Sequence, residues 1–556
     1  MLPATYEKPL MAEMKISISG AADAVTELAN FRPIYALKDL GYKPEDFKGQ
    51  VKADLQARFG IILDQKPPAP TYAARIQLSN VDLGRPVEGR KVADITGTLD
   101  IDPQSARLDA KGNFDGVPAA ITLTEPVGKT STVERVRVIK TTLSNQQREQ
   151  LAPGLSSILD GPMQVEMSRI DDTRQAVKVD LGKTEISLPW VGWSKGAGIP
   201  AKSAFELSSD GGQTNIRNFN MDGDGFGAAG SLVLGKDGLQ SASLSRVQLS
   251  PVDNYALAVK LSKGVYDISV SGSKADVRPL IARLRNSQQN SGSADNDTSG
   301  GATVRAKLDQ ISGFNDEAFK NVNALFAIRG GKISEAEFSG VTGSGQAIVS
   351  QLLKGGGRDT ISVTSGDAGA VARFGDIYNN MRGGLLNLKL NAPDGNDWSG
   401  SVDIRKFALA NEKRLQSLVA TPVGEDGRSL NTAVKRDIDV SSEKFQRGFA
   451  RVVYRDGTMQ IENGVVRGEQ VGATFQGMLR DADGNMDMTG TFMPAYGLNR
   501  LFAELPIIGI LLGNGSDRGL LGITFKMTGK FESPRLAINP LSLIAPGIFR
   551  QIFEFQ

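Results

Sequence analysis

The chain of 556 residues contains no cysteine and no histidine. Without cysteine it has no disulfide, thiolate nucleophile or thiolate metal site. Without histidine it has no Ser-His-Asp triad, imidazole base or His-ligated zinc. Carboxylates, lysines, serines and tyrosines remain, so these absences narrow the possible chemistry without excluding catalysis. The lack of cysteine also fits an oxidising compartment.

An excess of charge of either sign is missing too, since 64 basic residues face 62 acidic ones. Nucleic-acid binding, which needs a basic surplus or patch, is therefore not expected. No run of about 20 apolar residues is present, so no segment would cross a bilayer as a helix. The N-terminal residues lack the basic and apolar regions of a signal peptide. The first strand pattern begins near Lys15, as expected for a fragment or a late start.

What the sequence does contain is apolar–polar alternation with a period of two, which predicts strands with one apolar and one polar face. The clearest segments are 15–19, 177–181, 266–271, 386–390 and 523–528. Hairpin dipeptides separate many of the strands. They are Asp210-Gly211, Asp237-Gly238, Asp394-Gly395, Asp456-Gly457, Asn463-Gly464 and Asp483-Gly484. Residues 449–492 alternate strand and turn almost without interruption, which predicts an antiparallel meander.

Helical patterns are few, and each follows a strand. They predict short helices near 21–40, 275–286, 368–382 and 496–512. The expected fold is therefore mostly β: a long twisted antiparallel sheet curled into an apolar groove, in repeated strand blocks punctuated by short helices.

Composition shifts suggest five regions along the chain. They are a partial strand–helix–strand unit (1–70), a central β-groove region (71–285), a flexible Asn/Ser/Gly-rich linker (286–301), a second β-groove unit (302–420) and a C-terminal β region with apolar helices (421–556).

Two loops resemble ligand-binding motifs. Residues 196–203 imitate a P-loop, but Ala201 replaces the glycine before the lysine and a strand pattern follows where a helix is needed. Residues 481–487 imitate a calcium loop, but Met486 and Phe492 stand where an EF-hand needs glycine and glutamate. Both segments are interpreted as loops, so no cofactor or metal site is expected.

Two carboxylate pairs, Asp171-Asp172 and Asp100/Asp102, have the composition of a glycosidase pair. Neighbours on a strand point to opposite faces, and Asp171-Asp172 precedes a strand as a turn would. No catalytic residue is therefore predicted, and the chain is not expected to be an enzyme.

The two most apolar stretches, 505–512 and 540–555, lie near the C-terminus. Both are too short to span a bilayer. They are either helices that cap the end of the sheet or segments that contact a membrane interface or apolar partner. The candidate membrane contacts are Ile507, Ile508, Ile510, Leu511, Ile548, Phe549, Ile552 and Phe553.

The C-terminal region resembles AsmA-like envelope proteins. The resemblance rests on Gly490 to Asn499, Leu505 to Gly509, Gly519 to Phe525 and Ser533 to Gly547. Leu188 to Lys195 and the Gly-rich hairpins resemble the central region of larger YhdP-type members. The resemblance implies a long groove-forming sheet, anchorage in the inner membrane of a bacterial envelope, extension through the periplasm and phospholipid transport. The family's usual N-terminal transmembrane helix is not present in this sequence.

The expected function is a hydrophobic groove for phospholipid or another acyl lipid, serving outer-membrane homeostasis, with envelope proteins as possible partners. The residues expected to touch acyl chains share strand parity within each segment. They are Ile16, Ile18, Val177, Val179, Leu181, Ile268, Val270, Leu386, Leu388, Leu390, Ile523, Phe525 and Met527.

Two alternatives stay open. One is a structural or adhesive β protein of the envelope whose closed, packed core transfers no lipid. The other is a polysaccharide-acting enzyme, which would need aromatic platforms that this chain, with 3 Trp, has in small number.

Overall fold

The computed structural model describes residues 8–539, apart from 32–36, 38–40, 88–90, 129–130, 152–157, 237, 288–300, 330–331, 355–358, 394–396, 414, 417–421, 424–427, 430–440, 469–470, 495–522 and 532. The chain divides into two compact units. Unit 1 comprises Met1–Leu188 and Ser194–Ala242, and unit 2 comprises Pro189–Trp193 and Ser243–Gln556. The expected mostly-β fold is confirmed, because antiparallel strands dominate the described residues of both units.

The strands of unit 1 follow one another in space in nearly the order of the sequence. They are β1 (Met11–Ala21), β2 (Phe47–Gly60), β3 (Thr71–Leu83), β4 (Val92–Ile101), β5 (Ser105–Phe114), β6 (Val117–Pro126), β7 (Val136–Leu143), β8 (Leu159–Asp160), β9 (Met163–Arg169), β10 (Arg174–Asp180), β11 (Glu185–Leu188), β13 (Ala201–Asp210), β14 (Gln213–Gly223) and β15 (Phe226–Gly235). Strands β1 to β7, β9, β10 and β13 to β15 form an antiparallel meander. Strands β8 and β11 pair separately, and β12 (Trp193–Lys195) and β16 (Gly238–Gln248) contain residues of both units.

Unit 2 contains a second meander. Its strands are β17 (Asn254–Ser262), β18 (Val265–Asp276), β19 (Gly301–Ser312), β20 (Ala318–Arg329), β21 (Lys332–Val341), β22 (Ala347–Leu353), β23 (Asp359–Ser365), β24 (Met381–Ala392), β25 (Trp398–Ala410), β26 (Pro422–Val423), β27 (Arg428–Ser429), β28 (Ser442–Arg455), β29 (Thr458–Gly468), β30 (Val471–Arg480), β31 (Asn485–Pro494), β32 (Ile523–Lys530) and β33 (Arg535–Asn539). Strands β26 and β27 form a small hairpin of their own. The pair β18–β19 is parallel, and the other meander pairs of unit 2 are antiparallel.

The turn chemistry explains part of the meander between residues 449 and 492. Asp456 and Gly457 adopt φ values of +48° and +75° between β28 and β29, as a primed hairpin turn requires. The prediction of a hairpin at Asn463-Gly464 is wrong, because both residues lie inside β29. Asn463 has φ +51° there, and the register shifts between Ile461 and Gly464. This dipeptide therefore forms a bulge, which also needs positive φ.

Four short helices interrupt the strands of the described residues, three of them at predicted positions. They are α1 (Ala22–Ala29), α2 (Asn145–Leu151), α3 (Arg278–Ser287) and α4 (Ala368–Phe374), with 3₁₀ turns at Pro44–Asp46, Leu63–Gln65 and Pro189–Val191. Helices α1, α3 and α4 confirm three of the four predicted helical positions, although α1 ends at Ala29 and α4 at Phe374, well before residues 40 and 382. The fourth predicted helix, 496–512, and most of the predicted linker 286–301 lie outside the described residues.

Helix α2 was not predicted, because Asn145–Leu151 has no apolar periodicity. It is positioned by a buried polar contact instead. The Arg148 guanidinium is fully buried and donates to the Gly161 carbonyl oxygen and to Asn145 Oδ1, each at 2.9 Å. Such tertiary contacts are not visible in an apolar pattern.

Helix α4 is fixed at both ends. The Asp367 carboxylate accepts a hydrogen bond from the Ala370 amide at 2.8 Å, which caps the first turn. Ser344 Oγ donates to the other Asp367 oxygen at 2.6 Å. At the C-terminal end, the Phe374 side chain packs in a buried cluster with Phe319, Val322 and Ile311. The helix therefore covers one end of the unit 2 sheet.

Candidate functional site

Cross-strand register aligns aliphatic side chains into rows on one face of the unit 1 sheet. Directly opposed residues of an antiparallel pair lie on the same face. One row, in strand order from β1 to β13, is Gly20, Val51, Leu78, Gly97, Ala110, Ile121, Ile139, Met167, Val177 and Phe205. The row is apolar at every strand that it crosses.

Two further rows run beside it. The nearer one is Ile18, Ala53, Ile76, Leu99, Leu108 and Leu123, and the outer one is Ile16, Leu55, Ala74, Ile101 and Ala106. Their side chains are half-buried, and Ile16 at the edge strand is 36% exposed. The alternate residues of β1, such as Lys15 and Ser17, are exposed on the opposite face. The sheet therefore has an aliphatic face that is only partly covered.

One end of this aliphatic face is packed. Ala22 of α1 lies in a buried cluster with Val51, Val81, Val92 and Ile95, and Val25 of α1 packs against it. Helix α1 thus covers the ends of β2 to β4. The two rows that begin at Ile18 and Ile16 extend beyond the buried residues of this cluster. The aliphatic face is therefore buried near α1 and accessible farther along the strands.

Unit 2 carries a longer row of the same kind. It runs from β17 to β33 through Val259, Ile268, Val304, Phe326, Ala336, Leu352, Ile361, Leu390, Gly400, Val452, Ile461, Gly477, Met488, Met527 and Leu536. Every member is aliphatic, aromatic or glycine. A neighbouring row in β17 to β21 contains Leu257, Val270, Ala306, Ala324 and Phe338.

Exposure changes along the unit 2 row. Its first part is accessible: Phe326 is 37% exposed, and Ile361 and Leu390 are half-buried. In the later strands Val452 and Met488 are buried in one cluster. A second cluster buries Phe407, Leu415, Phe445, Val471, Phe492 and Phe525. One face of one meander thus supplies both an accessible surface and a packed core.

The residues predicted to touch acyl chains fall into both environments. Ile16 is exposed. The half-buried ones are Ile18, Val179, Ile268, Val270, Leu386, Leu388, Leu390 and Met527. Val177, Leu181 and Phe525 are buried, at 5%, 5% and 6% exposure. Ile523 begins β32, but its side chain is not described. The candidate membrane contacts in 505–512 and 540–555 lie outside the described residues.

One carboxylate of each predicted pair is held by hydrogen bonds within its own turn. Asp171 accepts hydrogen bonds from the Thr173 amide at 2.9 Å and from Arg174 Nε at 2.7 Å. These bonds, the Thr173 amide first, hold the pKa of Asp171 well below its ordinary value. Asp102 accepts from the Gln104 and Ser105 amides, each at 2.7 Å, and these bonds lower its pKa in the same way. Both carboxylates therefore stay charged and stabilise turns.

The two segments that resemble ligand-binding motifs, 196–203 and 481–487, contain the loops that were predicted there. Residues 196–200 connect β12 to the strand that begins at Ala201. Asp481 stands at the β30–β31 hairpin, where its carboxylate accepts from the Asn485 amide at 2.7 Å and from Asn485 Nδ2 at 3.0 Å. No group of three or more acidic side chains among the described residues has the geometry to hold a metal ion.

Sequence reasoning missed a buried cation, Lys195, which ends the segment 188–195 with its two tryptophans. Lys195 is 1% exposed, and its Nζ donates to the carbonyl oxygens of Leu181 at 2.8 Å, Thr184 at 2.6 Å and Gly196 at 3.2 Å. Burial lowers the pKa of Lys195, although the charges of Asp180 and Glu185 oppose that effect. The ammonium closes the loop by satisfying three carbonyls.

It also missed an ion pair on the aliphatic face of unit 1. Arg137 lies opposite Leu123, and Glu125 lies opposite Ala106. The signal is a charged residue at an apolar position of the alternation: Glu125 shares the parity of Ile121, and Arg137 shares the parity of Ile139.

No helix within the described ranges is long and apolar enough to cross a bilayer. No protein-family model matches the chain, and no curated protein matches it significantly. The resemblance to AsmA-like envelope proteins therefore stays a prediction from the residues quoted above.

Proposed function

We propose that this protein binds phospholipid or another acyl lipid along the aliphatic faces of its sheets and moves it between the membranes of a bacterial envelope. The observation that carries the proposal is the set of continuous aliphatic rows, half-buried over part of their length, that cross successive strands in each unit. Side chains between the two layers of a β-sandwich are buried on both inner faces. The accessible parts of these rows are instead surfaces on which an apolar ligand can lie.

The energetics favour such a surface for lipid. Each CH₂ group placed in water costs ~0.8 kcal/mol, so two sixteen-carbon chains cost on the order of 25 kcal/mol. A row that is apolar at every strand keeps the acyl chains dry at each position along the path. Movement along the row then exchanges one aliphatic contact for another, so the barrier is low. This passage needs no covalent chemistry.

A second candidate, a structural β protein with a packed core, is favoured by the buried clusters of β25 and β28 to β32. Phe445, Val471, Phe492 and Phe525 are there almost inaccessible to any ligand. We assign this part of unit 2 to stability, and the accessible part of the row, from β18 to β24, to lipid.

The testing experiment is native mass spectrometry and lipid extraction of the purified full chain, followed by transfer of a fluorescent phospholipid between vesicles. Co-purified lipid and protein-dependent transfer are expected. Absence of bound lipid, together with transfer no faster than without protein, would favour the structural alternative. The envelope location rests on the family resemblance, and fractionation of cells that express the native gene would test it.

A further inference from the structure

Two aliphatic rows of unit 1 end at charged side chains. The nearer row reaches Leu123 on β6 and continues to Arg137 on β7, and the outer row reaches Ala106 on β5 and continues to Glu125 on β6. The aliphatic face therefore meets a polar group at one margin, on the face that otherwise presents hydrocarbon.

The polar group contains three arginines and the carboxylates that contact them. Arg137 Nε donates to Glu125 Oε1 at 2.8 Å, and Arg135 Nε lies 2.6 Å from Glu125 Oε2. On the next strand, Arg169 pairs with Asp172. Val138 pairs with Ser168, so Arg137 and Arg169 are the next residues along the two strands. Arg135 and Arg137 therefore both contact one carboxylate, that of Glu125.

These side chains are neither free in solution nor sealed in a core. The exposed fractions are 41% for Arg135, 37% for Arg137 and 31% for Glu125. A charge in such a half-buried position is less screened than one at the open surface. An anion that reaches this margin would therefore be attracted more strongly than at an ordinary surface arginine.

We propose that this arginine cluster, made of Arg135, Arg137 and Arg169, receives the phosphate group of a glycerophospholipid whose acyl chains lie on the adjoining rows. The inference rests on the proposed lipid-binding function and adds the headgroup class. Guanidinium groups bind phosphate oxygens through charge-assisted hydrogen bonds in a fixed fork geometry. The phosphate supplies a second anion to Arg135 and Arg137, which share the Glu125 carboxylate, while the aliphatic rows begin one strand away. A neutral lipid such as diacylglycerol would gain only the contact of its acyl chains with the aliphatic rows.

The test compares two lipids with the same acyl chains, loaded onto the full chain from vesicles: phosphatidylglycerol and diacylglycerol. In the Arg135→Gln/Arg137→Gln double variant, phosphatidylglycerol loading is expected to fall about tenfold, with diacylglycerol loading unchanged. The matched control is Arg107→Gln. Arg107 lies on the opposite face of β5, at 4.0 Å from Asp102, and its removal is expected to leave both loadings unchanged.

Glu125→Gln provides a variant of opposite sign. It removes a negative charge and retains an oxygen acceptor, so phosphatidylglycerol loading is expected to rise. Equal loss of both lipids in the double variant, or no change in Glu125→Gln, would overturn the inference. Displacement of phosphatidylglycerol by millimolar inorganic phosphate would instead identify a site for free phosphate. If the wild-type chain loads neither lipid, the proposed function itself fails, which separates the two outcomes.

Discussion

The rings of Phe319 on β20 and Phe374 on α4 are stacked, with centroids 3.9 Å apart and planes inclined by 9°. Both side chains are buried, and they join the C-terminal end of the short helix to the sheet. Gly313 makes room for the stack, because an added Cβ would lie 2.4 Å from the Phe374 ring. This contact holds α4 at the end of the unit 2 sheet.

Phe374→Ala is expected to destabilise unit 2 by about 3 kcal/mol or more, since it removes a buried ring and leaves a cavity. Urea-induced unfolding measures the change. Ile377→Ala is the matched control, because Ile377 follows the same helix and is 59% exposed. Its effect is expected to stay within about 0.5 kcal/mol. Equal destabilisation by the two variants would contradict the role of the stack.

The aliphatic row of unit 2 has an accessible part and a buried part, and the same charged substitution can be made in each. Ile361→Glu introduces a carboxylate at a half-buried position that water reaches, so the fold is expected to survive while bound lipid falls. Met488→Glu buries the same charge at a position that is 2% exposed. That variant is expected to lose several kcal/mol and cooperative folding.

Thermal stability and lipid content are measured on the same preparations. Ser362→Glu, on the opposite face of β23, controls for the added charge. Val179→Asp makes the equivalent test in unit 1 at a half-buried position. Unfolding by Ile361→Glu and Val179→Asp, with no lipid in the wild type, would support a packed core throughout.

Lys195→Met is expected to open the loop between Leu181 and Gly196. The substitution removes one hydrogen bond from each of three carbonyl oxygens. The Leu181 and Gly196 oxygens keep backbone donors, and a buried carbonyl that is left unsatisfied costs about 1–3 kcal/mol. Hydrogen exchange of the Leu181 and Thr184 amides would report the opening. Lys183→Met, an exposed position in the same loop, is expected to leave exchange unchanged. Unaltered exchange in Lys195→Met would show that the ammonium is dispensable.

The β30–β31 hairpin is expected to weaken in acid. The Asn485 amide, first among its partners, holds the pKa of Asp481 below its ordinary 3.8. A lowered folded-state pKa means that the stabilisation is complete above 3.8 and is lost as pH falls through the folded value. Asp481→Asn keeps an oxygen acceptor without a titration, so it should flatten the acid dependence of Asn485 amide exchange. Asp483→Asn, in the same turn, should leave that dependence in place.

The sequence predicted the elements better than their alignment. Alternation placed Ile268 on the apolar face of its strand, because side-chain direction has a period of two. It did not predict that Ile268 lies opposite Val304 across a parallel pair, because that register depends on the crossover through α3. Bulges also make the register hard to predict. At Asn463 a turn and a bulge favour the same residue, because both need positive φ.

The ion pair between Glu125 and Arg137 at the edge of the unit 1 aliphatic face could not be predicted from the sequence for a similar reason. Glu125 and Arg137 stand out singly as charged residues at apolar positions. Their pairing depends on the length of the connection between β6 and β7, which alternation does not encode. The packed clusters of unit 2 were unpredictable too, since the pattern of Ile361 and that of Met488 are alike while their burial differs.

Because most strands of each meander pair with their neighbours in the chain, the structure has consequences for the folding pathway. Contacts close in sequence form quickly, since little loop entropy is lost before they are made. Each new strand can add to the edge of the preceding one as the polypeptide leaves the ribosome, so assembly proceeds in the direction of synthesis. Strand β19 differs from its neighbours, because it pairs in parallel with β18 and joins it only after the crossover through α3 has closed. We expect that addition to be slow, and the free edge of β18 to need protection from aggregation until it occurs.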